Sequence, residues 1–329
     1  MKKMMILFVA LVAAWCVSCS KDDDGGKNPG DPAEKAGVTM KSEGQKIKLT
    51  FLFLENSKIT IDWRDGTVKE YDGEYVEADN VYRVYVEYEY SQAALHTIKI
   101  SGCTDILYLY CFNNQLTSLD VSECPALTAL YCDNNQLSSL EISGCTALAY
   151  LYCNNNQLTS LEISGCSHLY WLNCYDNQLS SLDVSGCTAL TYLYCYDNQL
   201  SSLDVSGCIA LRTLSCSSNQ LPSLDVSECI ALRELYCGDN QLPLLDISGC
   251  SDLTTLICSS NRLPSLDIRE CSDLTDFWCS HNQLSASALN QIYTDLPTTD
   301  GKITANSNPG YPESDRSIAT NKGWIFYNN

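Results

Sequence analysis

A block of 21 residues recurs along this chain without insertion, and no other feature narrows its possible folds so far. Nine units open at positions 106, 127, 148, 169, 190, 211, 232, 253 and 274. Each carries the spacing L-x-x-L-x-C-x-x-N-x-L, with Ile106 and Phe277 standing in for leucine. The unit from Leu127 to Ala147 reads LTALYCDNNQLSSLEISGCTA. A stretch this short cannot bury enough apolar side chain to offset the ordering of its own backbone, so the units must stack and share their burial.

The order of side chains within a unit gives the geometry of the stack. Leu130 and Cys132 alternate with Ala129, Tyr131 and Asp133, which predicts a short strand with the first pair inward and the others outward. Strands of successive units then lie parallel, about 4.8 Å apart. Leu137, Leu140 and Ile142 come round the other side, and Ser143 to Cys145 leave room only for tight or 3₁₀-like turns. The pattern resembles the leucine-rich repeat family, most closely its short bacterial, internalin-like forms, over residues 96–285. That resemblance implies a β-rich, right-handed leucine-rich repeat solenoid with a parallel concave sheet and short convex turns.

Several columns run through the repeats. Asn114, Asn135, Asn156, Asn177, Asn198, Asn219, Asn240, Asn261 and Asn282 can tie one turn to the next, because an amide both donates and accepts; a ligand-binding row is the alternative. Two cysteine columns, one from Cys111 to Cys279 and one from Cys103 to Cys271, read as buried packing thiols. Disulfides between neighbours are the competing reading, although side chains in register point the same way. An acidic column, Asp120, Glu141, Glu162, Asp183, Asp204, Asp225, Asp246 and Asp267, reads as a wet surface, with calcium as the alternative.

The outward strand positions vary most and are the candidates for recognition. They hold Tyr108, Tyr110, Phe112, Tyr131, Tyr150, Tyr152, Trp171, Tyr175, Tyr192, Tyr194 and Tyr196, with Tyr236 and Trp278 further on. Exposed Tyr and Trp suit a binding surface because they offer area with few rotors. Equally, stacked tyrosines stabilise a sheet. Asn113, Asn134, Asn155, Asp176 and Asp197 border this face.

Outside the repeats the chain changes character. Lys2 and Lys3 precede an apolar run from Met4 to Val17, too short for a membrane span, so residues 1–18 read as a signal peptide. Val17-Ser18-Cys19 resembles the lipobox of bacterial lipoproteins, with Cys16 where that family usually has Leu; this implies lipidation of Cys19 and an outer-membrane anchor. Lys21-Asp22-Asp23-Asp24 resembles a surface-export signal, the alternative being a solvated acidic linker. Residues 19–37 form the lipidated N-terminus and tether, with a reach of about 23 Å.

Residues 38–95 read as strands at Lys46 to Leu54, Lys58 to Trp63, Thr67 to Tyr71 and Tyr82 to Tyr90. Ile61-Asp62-Trp63-Arg64-Asp65-Gly66-Thr67 is similar to a motif of the PKD-like β-sandwich, with Arg64 in place of that motif's Gly. Leu95 to Cys103 align with Leu137 to Cys145, so the last strand is expected to run straight into the first coil and cover its open edge. Residues 286–329 resemble the C-terminal cap of bacterial repeat proteins. Ser287 to Leu296 predicts a helix stopped by Pro297, Ser317 to Lys322 a short one closed by Gly323, and Trp324 and Phe326 are expected to seal the last coil.

Acids outnumber bases 40 to 20, for a formal charge of -20, which argues against nucleic acid as a partner. His96, His168 and His281 are isolated, and no nucleophile–base pair, phosphate loop or zinc spacing is present in the sequence. The expectation is a non-enzymatic surface lipoprotein without metal or cofactor, binding a protein through the aromatic concave face. Glycan capture by the same rings and a plain structural spacer are the alternatives.

Overall fold

The computed structural model describes residues 37–327; the expected signal peptide, Cys19 and nearly all of the expected tether lie outside the described residues. The chain divides into two compact units after Asn156.

The first unit opens with a β-sandwich: β1 (Gly37–Ser42), β2 (Lys46–Phe53), β3 (Lys58–Asp62), β4 (Val68–Asp72), β5 (Glu74–Val76), β6 (Val81–Glu89) and β7 (His96–Ser101). Two coils and the strand of a third follow, with β8 (Tyr108–Tyr110), β9 (Leu116–Asp120), β10 (Ala129–Tyr131), β11 (Ser139–Glu141) and β12 (Tyr150–Tyr152). One sheet runs β11-β9-β1-β7-β3-β4, and facing it are β12-β10-β8-β2-β6-β5. Period-2 alternation turns Met40, Ile47, Leu49, Phe51, Ile59 and Ile61 into a shared core, all at most 1% exposed.

The junction differs from the expected direct run. β7 does not lie on the first coil: β1 intervenes, antiparallel to β7 on one side and to β9 on the other. On the facing sheet β2 runs antiparallel to β8. Sandwich strands therefore cover the first coil on both sides, and Asn114 is fastened to β2, accepting from Lys48 N–H at 2.7 Å and donating to its carbonyl at 2.8 Å. β1 escaped the sequence reading because its six residues abut the polar tether.

The second unit contains β13 (Trp171–Asn173), β14 (Leu182–Asp183), β15 (Tyr192–Tyr194), β16 (Leu203–Asp204), β17 (Thr213–Ser215), β18 (Glu234–Tyr236), β19 (Thr255–Ile257) and β20 (Asp276–Trp278). α1 (Ala286–Asp295), β21 (Lys302–Thr304), α2 (Ser317–Thr320) and β22 (Ile325–Phe326) complete it. Each repeat strand pairs in parallel with its neighbour 21 residues away, Leu193 beside Leu214 and Leu235 beside Leu256. Short parallel pairs, β9–β11 and β14–β16, also form on the opposite side of the coils, where no strands were expected.

The coil interior explains the columns. Leu130, Cys132, Leu137 and Cys145 are fully buried, and the same holds in every coil. Asn219 is representative of the ladder. Its Oδ1 accepts from Leu200 N–H at 2.9 Å, and its Nδ2 donates to the carbonyls of Cys195 and Cys216 at 3.0 and 3.1 Å. The amide thus binds the preceding coil and its own strand end at once, satisfying backbone groups that burial would otherwise orphan. In the second cysteine column the thiols reach back one coil, as Cys145 does to the Val121 carbonyl at 3.1 Å. The corner is turned by short-range bonds, Cys145 N–H to Ile142 and Leu148 N–H to Cys145, matching the tight turns expected there.

One further column was not anticipated. Asn113, Asn134, Asn155, Asp176, Asp197, Ser218, Asp239, Ser260 and His281 all hold φ between 51° and 56°. This left-handed residue swings the chain out of the strand, and short polar side chains tolerate it best. The border of Asn and Asp beside the aromatic face is in large part this backbone requirement.

At the C-terminal end Ser285 caps α1, accepting from Ala288 N–H at 3.2 Å. β21 then pairs with β20 as a tenth coil, offset by 26 residues instead of 21. Asn308 carries the ladder into it, accepting from Asn282 and Leu284 N–H. Trp324 is 1% exposed, donates to the Pro297 carbonyl at 2.8 Å and lies so close to Gly301 that any Cβ there would meet its ring at 2.7 Å. Phe326 meets Tyr293 edge-on, so both aromatics of the predicted cap serve packing.

Candidate functional site

The aromatic side chains singled out in the sequence fall on the outward side of the repeat strands, opposite the buried Leu and Cys of the same strands. They do not form one uniform display. In the first unit, Tyr110, Tyr131 and Tyr152 occupy one row, and their rings stack at 4.5 and 4.7 Å with interplanar angles of 8° and 11°. The neighbouring row is Tyr108, Ala129 and Tyr150. Here the expectation of exposed rings is corrected: Tyr108 and Tyr150 are only 6% and 5% exposed. Small Ala129 between them leaves room for both flanking rings to fold down, so they contribute packing in place of display. Phe112, just past its strand, is 44% exposed.

The second unit places Trp171, Tyr192 and Tyr194 half-exposed on β13 and β15. The Trp171 ring is tilted 32° against Tyr192 at 4.5 Å and 34° against Tyr194 at 5.4 Å. Tyr175 and Tyr196, at the strand exits, stack at 4.4 Å. Beyond β15 the rows change: Thr213 and Ser215 sit low, buried between larger neighbours, and Glu234, Tyr236, Ile257, Asp276 and Trp278 follow.

Burial keeps Tyr110, Tyr131 and Tyr196 neutral. Burial raises the Tyr110 and Tyr131 hydroxyls above the usual phenol range, with Asp79 adding to it at Tyr110. Burial and the neighbouring Tyr175 push Tyr196 up to about 12. Every such hydroxyl is thus a hydrogen-bond donor at neutral pH.

Sequence reasoning missed part of the first unit's face. Tyr110 pairs with Thr50, which in turn pairs with Tyr85, and Tyr108 pairs with Leu52, opposite Arg83. The strand face therefore continues onto the sandwich, with Tyr85 and Leu52 in line with the repeat rows. Only the antiparallel register of β2 places them there, and no periodicity announces it.

The acidic column belongs to the other side of the coils and is occupied with local work. Asp183, Asp204, Asp225 and Asp246 each accept the backbone N–H two residues on, at 2.9 to 3.0 Å. Those bonds and the side chains of the same serines hold the carboxyls below their ordinary range, the Ser206 side chain foremost at Asp204. Asp183, Asp204, Asp225 and Glu228 line an open groove of about 450 Å³. Among the described residues, no three His, Cys, Asp or Glu side chains converge as a metal site.

A family model described as leucine-rich repeats in two copies matches residues 104–144 and 125–165. No curated protein matches the chain. Among solved structures, the chain is similar to the functional domain of InlJ from Listeria monocytogenes, said to include a cysteine ladder, at 31% identity over 69% of this chain and 54% of that one, with a TM-score of 0.52. It is also similar to YopM, a leucine-rich effector protein from Yersinia pestis, at 23% identity over 62% of this chain and 59% of that one, with a TM-score of 0.51. The chain therefore spans little more than half the length of each. The fold is a leucine-rich repeat β-solenoid, and the likeness is to bacterial proteins of that build.

Proposed function

We propose that this protein is a lipid-anchored, surface-exposed outer-membrane protein that binds a protein partner through the outward faces of its repeat strands. The observation that carries the protein-binding reading is the stacking. Where rings lie parallel at 4.4 to 4.7 Å, or lean on one another as Trp171 does on Tyr192 and Tyr194, their faces are spent on one another, leaving edges and neutral hydroxyls at the surface. Edges and hydroxyls suit a polypeptide surface, whereas a sugar stacks on a free ring face. The similar InlJ domain, said to include a cysteine ladder, supports the reading, and leucine-rich repeats commonly serve as interaction scaffolds.

The anchoring half of the proposal rests on Val17-Ser18-Cys19 and the acidic run after it. We also read residues 38–95 as a PKD-like sandwich. Arg64 adopts φ 58°, the left-handed conformation that suits the Gly it replaces, and Trp63 is fully buried.

Capture from intact-cell and matrix extracts by the mature protein, run beside a glycan array, tests this function. Protein capture lost in the Trp171→Ala/Tyr192→Ala/Tyr194→Ala variant, with a melting temperature near that of wild type, is the expected result. Array binding without protein capture would make the glycan reading correct. Capture that survives the triple change moves the site elsewhere. Replacing Cys19 with Ala should abolish incorporation of labelled fatty acid and release the protein from the membrane.

A further inference from the structure

The later coils of the second unit present a surface of a different kind. On β17 to β20 one outward row runs Thr213, Glu234, Thr255, Asp276, and the next runs Ser215, Tyr236, Ile257, Trp278. Tyr236, Ile257 and Trp278 are half-buried and contiguous, a polar-edged apolar strip on a sheet face that no other part of the described chain pairs with. Beside it stands Glu234, whose carboxylate accepts from the Thr213 hydroxyl at 3.2 Å.

Glu234 and Asp276 are not neutralised by a basic partner, as some carboxylates of the molecule are. Glu87 pairs with Lys46 at 2.6 Å, Asp72 with Lys58 at 3.3 Å and Asp267 with Arg269 at 2.5 Å. Among the described residues, no lysine or arginine forms an ion pair with Glu234 or Asp276. Arg212 and Arg233 are exposed at the entry to β17 and β18, yet neither turns to Glu234 within salt-bridge distance. Burial raises the Tyr194 and Tyr236 phenols, and the carboxylates add to it, Glu234 at both and Asp276 at Tyr236.

We propose that this strip is a docking surface for a protein segment bearing two basic side chains, one set against Glu234 and one against Asp276, with their aliphatic stems lying over Tyr236, Ile257 and Trp278. The carboxylates lie two strands apart, about 10 Å at the usual strand spacing. Lys and Arg fit because the stem covers apolar surface while the head reaches a charge. Arg adds a planar fork that a carboxylate accepts in two places. The proposal rests on the reading of the strand face as protein-binding, but uses none of the early aromatic residues.

An array of random-sequence peptides probed with the full chain separates the two. Wild type should capture peptides enriched in pairs of Lys or Arg. Glu234→Gln/Asp276→Asn should lose about tenfold in affinity for them, and Trp171→Ala/Tyr192→Ala/Tyr194→Ala should keep them. The Gln and Asn replacements preserve shape, and an unchanged melting curve verifies it. General attraction to an acidic protein would survive Glu234→Gln/Asp276→Asn, so enrichment unaffected by that variant overturns the proposal. Captured peptides without basic enrichment, lost in the aromatic triple variant, would overturn it too while leaving the broader function intact. An array with no captured peptide counts against it as well.

Discussion

The outward rows of the two units are built on the same backbone and do opposite things with it. In the first unit Tyr110, Tyr131 and Tyr152 form an unbroken stack in which each ring covers the next. The equivalent row of the second unit reads Asn173, Tyr194, Ser215, Tyr236, Ile257, Trp278, so its rings are interrupted by small or aliphatic residues. Identical neighbours satisfy one another, and a row of unlike neighbours leaves unsatisfied faces and charges. Aromatic content alone is therefore a poor guide to where a partner sits. The interrupted row has the greater capacity to recognise something else.

What the two units share should respond most strongly to perturbation. Burial pushes the thiols of Cys216 and Cys258 up to about 12 and raises those of Cys132, Cys195, Cys237 and Cys279 far above normal. A folded-state value above the unfolded one means stability that is complete below the unfolded thiol value, near 8.5, and lost as pH rises beyond it. Each such thiol costs about 1.4 kcal/mol per pH unit in that window. Thermal melts across pH 8 to 10.5 should show a steep fall with both units affected, and a flat profile would mean the thiols are not the buried neutral groups described.

The asparagine ladder comes next. Asn135→Ala in the first unit and Asn219→Ala in the second each orphan several buried backbone groups, and each should cost about 3 kcal/mol in denaturant unfolding. Equal losses would fit the common scaffold. The rows themselves should then differ. Tyr131→Ala removes a ring stacked on both sides and should cost about 2 kcal/mol, whereas Tyr236→Ala should cost less than about 1 kcal/mol yet weaken binding. Equal costs would erase the distinction drawn between the rows. The smallest effect concerns the back of the coils. Asp267, held down to about 2 chiefly by the Arg269 side chain, contributes above the ordinary carboxylate range and loses that contribution as pH falls toward 2. In Arg269→Ala its carboxyl titration, followed by NMR, should move back up toward the ordinary value.

The repeat made the fold legible because period and alternation are local properties. Leu130 inward, Tyr131 outward and the tight turn at Ser143 to Cys145 all follow from spacing. What stayed hidden depends on partners remote in sequence or on the size of a neighbour. β1 between β7 and β9, and Leu52 beside Tyr108, required a non-local register. The tenth coil was disguised by the five extra residues that its helix adds before Asn308. Tyr108 and Tyr131 carry the same side chain at outward positions, but Ala129 lets the first sink while Tyr110 and Tyr152 hold the second upright. Identity gives a residue's side of the sheet, and its neighbours give its exposure.

Because each residue of a repeat strand lies beside its counterpart 21 positions away, a coil is a removable part. Inserting or deleting 21 residues in register leaves every surviving amide and thiol beside an equivalent neighbour. Length is then a heritable variable separate from folding. The outward rows can thus be lengthened, shortened or reshuffled one coil at a time.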